Sequence, residues 1–163
     1  MIGLFLKLSA YWFFRATGKP VLLPFNYTFS ITYRCNSRCK TCNIWKIQQK
    51  VPFDLELKTN EWIEIIKSLG NAPFWITISG GEPFLRKDLI EIIEAIVRFN
   101  NPEIINIPTN GILRSTTDKI EEILEILKGS RIKLVINYSI DSNEEKNEEI
   151  RGVKRKWERV NDN

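Results

Sequence analysis

"FWITISGGEPFLRKDLIEIIEAIVRF", residues 74–99, carries a strand, a loop and a helix in one continuous run. Residues 74–79 are apolar, β-branched and aromatic, the composition of a buried strand. Gly80, Gly81 and Pro83 then break the run. From Asp88 the hydrophobic period changes, and Leu89, Ile92, Ile93, Ile96 and Val97 fall on one face of a helix. This is half of a βαβ unit, and the segments on either side repeat it. Upstream, "YTFSITY" (27–33) reads as a strand, and "TNEWIEIIKSL" (59–69) as an amphipathic helix with Trp62, Ile65, Ile66 and Leu69 on one side. Downstream, "EIINIP" (103–108) is a third strand. "TTDKIEEILEILKG" (116–129) is a third helix closed by Gly129 as its C-cap. "RIKLVINYSI" (131–140) is a fourth strand. The charged segment 142–160 reads as partly helical and interrupted at Gly152.

Four strand–helix alternations, each about 30 residues long, predict an α/β fold with parallel strands and right-handed crossovers. In such folds ligands bind outside the carboxyl ends of the strands. The unusual chemistry sits in those places. A cysteine-rich loop follows strand one, "SGGEP" strand two and "PTNG" strand three, and "SID" closes strand four.

With 163 residues, 43% hydrophobic and 27% charged, the chain reads as about one ordinary globular domain. The net charge of +4 is too small to point to nucleic acid, but its distribution is uneven. Residues 1–53 hold eight basic side chains (Lys7, Arg15, Lys19, Arg34, Arg38, Lys40, Lys46 and Lys50) and no acid. No histidine occurs, which removes the commonest metal ligand and the usual near-neutral base. The opening "MIGLFLKLSAYWFF" is apolar and shorter than a membrane span, and no small-residue cleavage site follows it. Two readings stay open for it. One is an aromatic helix lying on an anionic membrane surface through residues 1–16; the other is a helix that caps the domain or covers a groove. Residues 1–24 are then a helix and linker, and residues 25–163 the core.

All three cysteines, Cys35, Cys39 and Cys42, lie in "YRCNSRCKTCNIW" (33–45). An odd number cannot close a disulfide framework, and clustered cysteines in a reducing compartment bind metal or do redox chemistry. A structural zinc site needs four ligands, and neither a fourth cysteine nor a histidine is present. Three thiolates on a four-iron cluster leave one iron free to bind something else. Arg34, Arg38 and Lys40 beside the loop either offset the charge of such a cluster or serve solubility.

Cys35-x₃-Cys39-x₂-Cys42 after the first strand, with Gly80-Gly81-Glu82-Pro83 after the second, resembles the radical S-adenosylmethionine (radical SAM) superfamily. The likeness is greatest to the branch of the molybdenum-cofactor cyclase and the SPASM-type maturases, and it covers residues 27 to about 160. The resemblance implies a [4Fe–4S] cluster on Cys35, Cys39 and Cys42, with the amino and carboxylate groups of SAM on the fourth iron. Reductive cleavage of SAM would give a 5′-deoxyadenosyl radical that abstracts hydrogen from a substrate, with ferredoxin or flavodoxin as electron donor. Gly80 and Gly81 would let bare backbone approach SAM, Glu82 would accept from its ammonium, and Pro83 would fix the loop's exit. Ser139 and Asp141 match positions that contact the ribose or methionine part, and Thr109 and Asn110 lie beside that pocket. Arg86 matches a substrate contact in the cyclases, and otherwise reads as a solvated charge. Ile44 and Trp45 would wall the adenine or join the core.

The sequence departs from the pattern in three places. Thr41 stands where an aromatic residue often precedes the last cysteine, and Asn147 where histidine is common. The third is length: the family core is a partial TIM barrel of six βα units, and this chain reads as the first four. The expectation is a truncated or split enzyme, with an open strand edge that another chain would complete. The competing readings are a cluster- and SAM-binding half-barrel without turnover, a degenerate remnant, and a zinc scaffold. An oxygen-sensitive cluster and the lack of an export signal predict the cytoplasm, or the inner membrane face.

Overall fold

The computed structural model describes residues 2–19, 21, 23–154, 158 and 160. In chain order the elements are α1 (Ile2–Thr17), β1 (Asn26–Thr32), α2 (Ile44–Gln48), α3 (Thr59–Leu69), β2 (Trp75–Gly80), α4 (Leu89–Phe99), β3 (Ile104–Thr109), α5 (Thr116–Leu127), β4 (Lys133–Tyr138) and α6 (Glu144–Arg151). Single 3₁₀ turns occur at Phe53–Leu55 and Pro83–Leu85. Every expected strand and helix of the core is present, with ends moved by a residue or two. Gly129 sits just past the α5 cap residue Lys128, at φ 79°, a left-handed position that glycine fills without strain.

The four strands form one parallel sheet in the order β1-β2-β3-β4. Sequential strands are neighbours, as in the first half of a barrel that grows in one direction. Thr28, Thr77, Asn106 and Val135 stand opposite one another across all four strands. Register fixes the faces, because side chains alternate along each strand. Ile76, Ile78, Ile105 and Ile107 point to one face and are fully buried. They pack in one core with Ile66 of α3, Leu89, Ile92, Ile93 and Ile96 of α4, and Ile123 of α5. Each such side chain contributes roughly 1.5–3 kcal/mol of hydrophobic stabilisation.

The opposite face is polar. Asn106 Nδ2 donates to Thr77 Oγ1 at 3.3 Å, and Asn137 Nδ2 donates to Asn106 Oδ1 at 2.6 Å. Trp75 Nε1 donates to the same Thr77 hydroxyl at 3.0 Å. Continuous apolar strands are what a sheet covered on both faces requires. These strands alternate instead, since among the described residues helices cover only one side.

α1 departs most from a packed element. Among its described side chains only Ala10 is half-buried and the rest are exposed, Trp12 at 75% and Phe5 at 72%. These described side chains bury no face of the helix against the core. No helix among the described residues is long and apolar enough to cross a membrane.

Candidate functional site

The site begins where β1 and β2 end. The Gly81 N–H donates to Thr32 O and the Glu82 N–H to Arg34 O, both at 2.7 Å, so the two backbones stay paired beyond the strands. A Cβ on Gly81 would lie 2.1 Å from Arg34 O, and one on Gly80 2.4 Å from Thr32 O. Gly80 also has φ 124°, which other residues rarely adopt. Both glycines also line the cleft beside the cysteines, where a ligand would meet them. What their bare backbone meets is the exit of β1, so they set the distance between the cysteine loop and the loop after β2.

Glu82 is 2% exposed, and its carboxylate turns towards the end of β3. Oε1 accepts from the Thr109 hydroxyl at 2.8 Å and from the Phe84 N–H at 3.3 Å. Oε2 accepts from the Asn110 N–H at 2.7 Å. One buried acid thus ties two of the predicted loops together. Pro83 starts the 3₁₀ turn and is buried behind them. The Ser139 N–H donates to Thr109 O at 2.8 Å, which joins the fourth loop to the third.

Helix α2 folds back on the cysteine loop and braces it. The Cys35 N–H donates to Gln48 Oε1 at 2.8 Å, and Trp45 Nε1 donates to Cys39 O at 3.2 Å. Asn110 Nδ2 reaches Asn36 Oδ1 at 2.7 Å and lies 4.0 Å from Cys35 Sγ. The three thiols are free; Cys39 is buried, Cys35 half-buried and Cys42 exposed. They line a cleft of about 200 Å³ that Gly80, Gly81, Glu82, Thr109, Asn110 and Ser139 also line. Nine predicted residues from four separate loops therefore meet in one hollow, walled also by Ile44 and Trp45. Pro83, which is buried, and Asp141, which is exposed, do not line it. Asp141 pairs with Arg151, a cleft residue from the end of α6. Asn147 is fully buried and accepts the Asp141 N–H on Oδ1 at 3.1 Å.

Burial pushes the Cys35 thiol up, and the negative charges of Glu82, Cys39 and Cys42 add to it, while the Ser37 N–H at 3.4 Å from Sγ offsets part. Bound iron, being positive, relieves this cost of a thiolate. Among the described residues no three of His, Cys, Asp and Glu gather tightly enough to close on one metal ion. A multi-iron cluster holds its thiolates further apart than a single zinc ion does. Three free thiols spaced round one hollow, with no fourth cysteine and no histidine in the chain, fit a four-iron cluster better than a single structural zinc ion.

Arg86 lies elsewhere. Its side chain is 8% exposed and pairs with Asp88 through Nε at 2.7 Å and Nη2 at 2.9 Å. Nη2 also donates to Leu57 O at 2.7 Å, and Nη1 donates to Ile31 O. It faces a second pocket and clasps backbone there. Sequence reasoning missed three residues that hold the site: Gln48, Arg151 and Glu56. Glu56 accepts from Thr32 Oγ1 at 3.0 Å and from the Tyr33 N–H at 2.8 Å, fixing the exit of β1. Gln48 and Glu56 lie in segments without periodicity. Only Arg151, preceding a helix-ending glycine, carried a local signal.

The family profile described as "Radical SAM superfamily" matches residues 29–163. The chain is similar to the GTP 3′,8-cyclase of Aquifex aeolicus, 32% identical over 74% of this chain and 37% of that protein. The GTP 3′,8-cyclase of Campylobacter jejuni is 34% identical over 69% of this chain and 33% of its own length. The chain thus spans about a third of the curated relatives it matches. Among solved structures, Streptococcus suis SuiB bound to S-adenosylmethionine superimposes with a TM-score of 0.59 at 18% identity, over 89% of this chain and 32% of SuiB. That likeness is one of fold.

Proposed function

This chain belongs to the radical SAM superfamily, and we propose that it supplies the radical-generating half of such an enzyme, with a [4Fe–4S] cluster on Cys35, Cys39 and Cys42 and SAM beside it. The observation that carries the reading is the meeting of nine residues from four strand ends around one cleft. Held by Cys35, Cys39 and Cys42, the cluster would supply the one-electron reduction of SAM that opens hydrogen-abstraction chemistry on a substrate.

The chain's own residues orient and shelter. Glu82 already accepts three protein hydrogen bonds, so its first task is to hold the β2 and β3 loops together. Its buried carboxylate at the cleft wall suits the amino group of SAM. Ser139 lies at the cleft wall for a ribose hydroxyl, and Trp45 and Ile44 exclude water beside the adenine. Asp141, outside the cleft lining, acts through Arg151. Arg86 supports the site by clasping the end of β1. Residues 1–24 are an appendage to a core of 25–163. A small acidic electron carrier of the ferredoxin or flavodoxin type suits the basic cysteine end, and the cytoplasm suits the cluster.

A second reading has support in β4, which pairs with β3 alone and leaves its other edge open among the described residues. Further strands, in this polypeptide or a partner chain, complete the barrel and set the substrate. The test is anaerobic reconstitution with iron and sulfide, dithionite reduction, and assay for 5′-deoxyadenosine, with Cys39→Ala as control. Product that disappears in the control supports the proposal. Iron bound without SAM cleavage favours the half-barrel that needs its partner strands. No cluster sinks the reading of the cysteines.

A further inference from the structure

Cys39 is the most buried of the three cysteines. The residues on both sides of it pair with the end of α6: the Arg38 N–H donates to Arg151 O at 3.1 Å, and the Lys40 N–H to Ile150 O at 2.8 Å. Lys40 Nζ meets the Glu149 carboxylate at 2.6 Å. α6 stops at Gly152 in the left-handed conformation, φ 65°, where a Cβ would lie 2.5 Å from Arg38 O. Helix end and cysteine loop therefore approach as closely as bare backbone allows.

Arg151 crosses this junction. Its guanidinium grips Asp141 at two points, Nε to Oδ2 at 2.5 Å and Nη2 to Oδ1 at 2.8 Å. The third nitrogen, Nη1, stands 3.8 Å from Cys39 Sγ. Its side chain is 19% exposed. Asp141 is itself fixed by the buried Asn147, so the cation is held from behind and aimed at one sulfur.

We propose that Arg151 is a positioning residue that hydrogen-bonds the Cys39 thiolate and sets the reduction potential of the cluster it ligates, with Asp141 opposing it. The inference rests on the cluster proposed above. Reduction adds negative charge to a centre already bound by three thiolates. A guanidinium N–H on a ligating sulfur stabilises the reduced form and raises the potential. The Asp141 carboxylate holds the guanidinium and cancels part of its field.

The test is a redox titration of reconstituted protein, monitored by electron paramagnetic resonance, with iron counted beside it. Arg151→Met should move the midpoint to more negative potential, and Arg151→Lys, which keeps the charge, should move it less. Asp141→Asn should move it the opposite way, to more positive potential. A role confined to holding the loop predicts another pattern. Loosening the loop admits water, which favours the more highly charged reduced cluster and raises the potential in every variant. A rise in Arg151→Met, or three unchanged midpoints, overturns the proposal. Should Arg151→Met bind no iron, Arg151→Lys decides instead: a shift to more negative potential supports the proposal, and a rise or an unchanged midpoint overturns it. Wild-type protein without a cluster overturns the cluster reading and this one with it; a wild-type cluster with unmoved variants overturns this one alone.

Discussion

Two hollows open side by side where β1 ends, and the larger one is not the one with the chemistry. The larger, about 510 Å³, is bordered by Thr32, Arg34, Glu56, Leu57, Arg86 and Asp88. Its more deeply set polar groups are spent largely on each other, while Asp54, Lys58 and Lys87 stand at its edge. Arg86 is committed to Asp88, Leu57 O and Ile31 O, and Glu56 to Thr32 and the Tyr33 N–H. The Thr59 hydroxyl donates to Asp88 at 2.5 Å, and Arg34 donates to Gln48 O and Val51 O at 3.1 and 3.0 Å. The smaller hollow keeps three free thiols and the Ser37 hydroxyl, which is buried without a partner. A pocket whose donors and acceptors are paired within the protein is a joint. One that keeps soft ligands and an unpaired hydroxyl under cover is a site.

Substitutions should therefore cost stability in the larger hollow and chemistry in the smaller. The greatest loss is expected for Arg86→Ala. It strands Asp88 and frees the carbonyls of Ile31 and Leu57, for about 3–5 kcal/mol in urea unfolding of the iron-free chain. A cost below about 1 kcal/mol would mean that the clasp is a solvated surface pair. Glu56→Ala should come next at roughly 1–3 kcal/mol, since it leaves the Thr32 hydroxyl and the Tyr33 N–H without their acceptor.

The larger hollow should also be the acid-sensitive one. Burial works against the Asp88 carboxylate, but hydrogen bonds from Arg86 and Thr59 outweigh it and hold the group below its usual 3.8. The unfolded chain then binds the proton more readily than the folded one. Stability from Asp88 is complete above the ordinary carboxylate range and fades as pH falls through it towards the lower folded value. The urea midpoint should drop between about pH 5 and pH 3, and Asp88→Asn should remove part of that slope. An identical slope in the variant would place the acid sensitivity elsewhere.

The two hollows also differ in how far the sequence revealed them. Cysteine spacing, a glycine pair and strand ends are local patterns, so the smaller hollow was legible apart from its brace. Arg151 stands 112 residues from Cys39, and Glu56 stands 24 from Thr32 in a segment without periodicity. No local rule joins such pairs. Arg86 shows the converse: a charge in a loop before a helix reads as solvated or substrate-facing, and only the fold brings Ile31 O and Leu57 O to it. The strands were legible because Ile76, Ile78, Ile105 and Ile107 carry the core. The polar reverse face was not, since Thr77, Asn106 and Asn137 bond to one another only once register aligns them. α1 misleads in another way. It is as apolar as α4, but α4 sets Glu91, Glu94 and Arg98 against its buried isoleucines, whereas α1 has no such division and, among its described side chains, buries no face.

In the smaller hollow the effects on folding should be slight and those on binding large. Ser37→Ala removes a buried hydroxyl that bonds nothing, so unfolding should be unchanged or slightly harder. If the hydroxyl serves a bound group, the same variant should weaken SAM binding in the reconstituted protein, as read by equilibrium dialysis; unchanged binding would make Ser37 a packing residue. Cys42→Ser should disturb the iron-free fold least of all, because Cys42 is exposed; a change within about 0.5 kcal/mol is expected. Yet it should lose most of the roughly four irons that a cluster on three thiolates retains. A residue that unfolding ignores and iron binding requires belongs to a ligand and not to the fold. Should Cys42→Ser keep its iron and lose stability instead, the division between the two hollows would be wrong at the very residue that defines it.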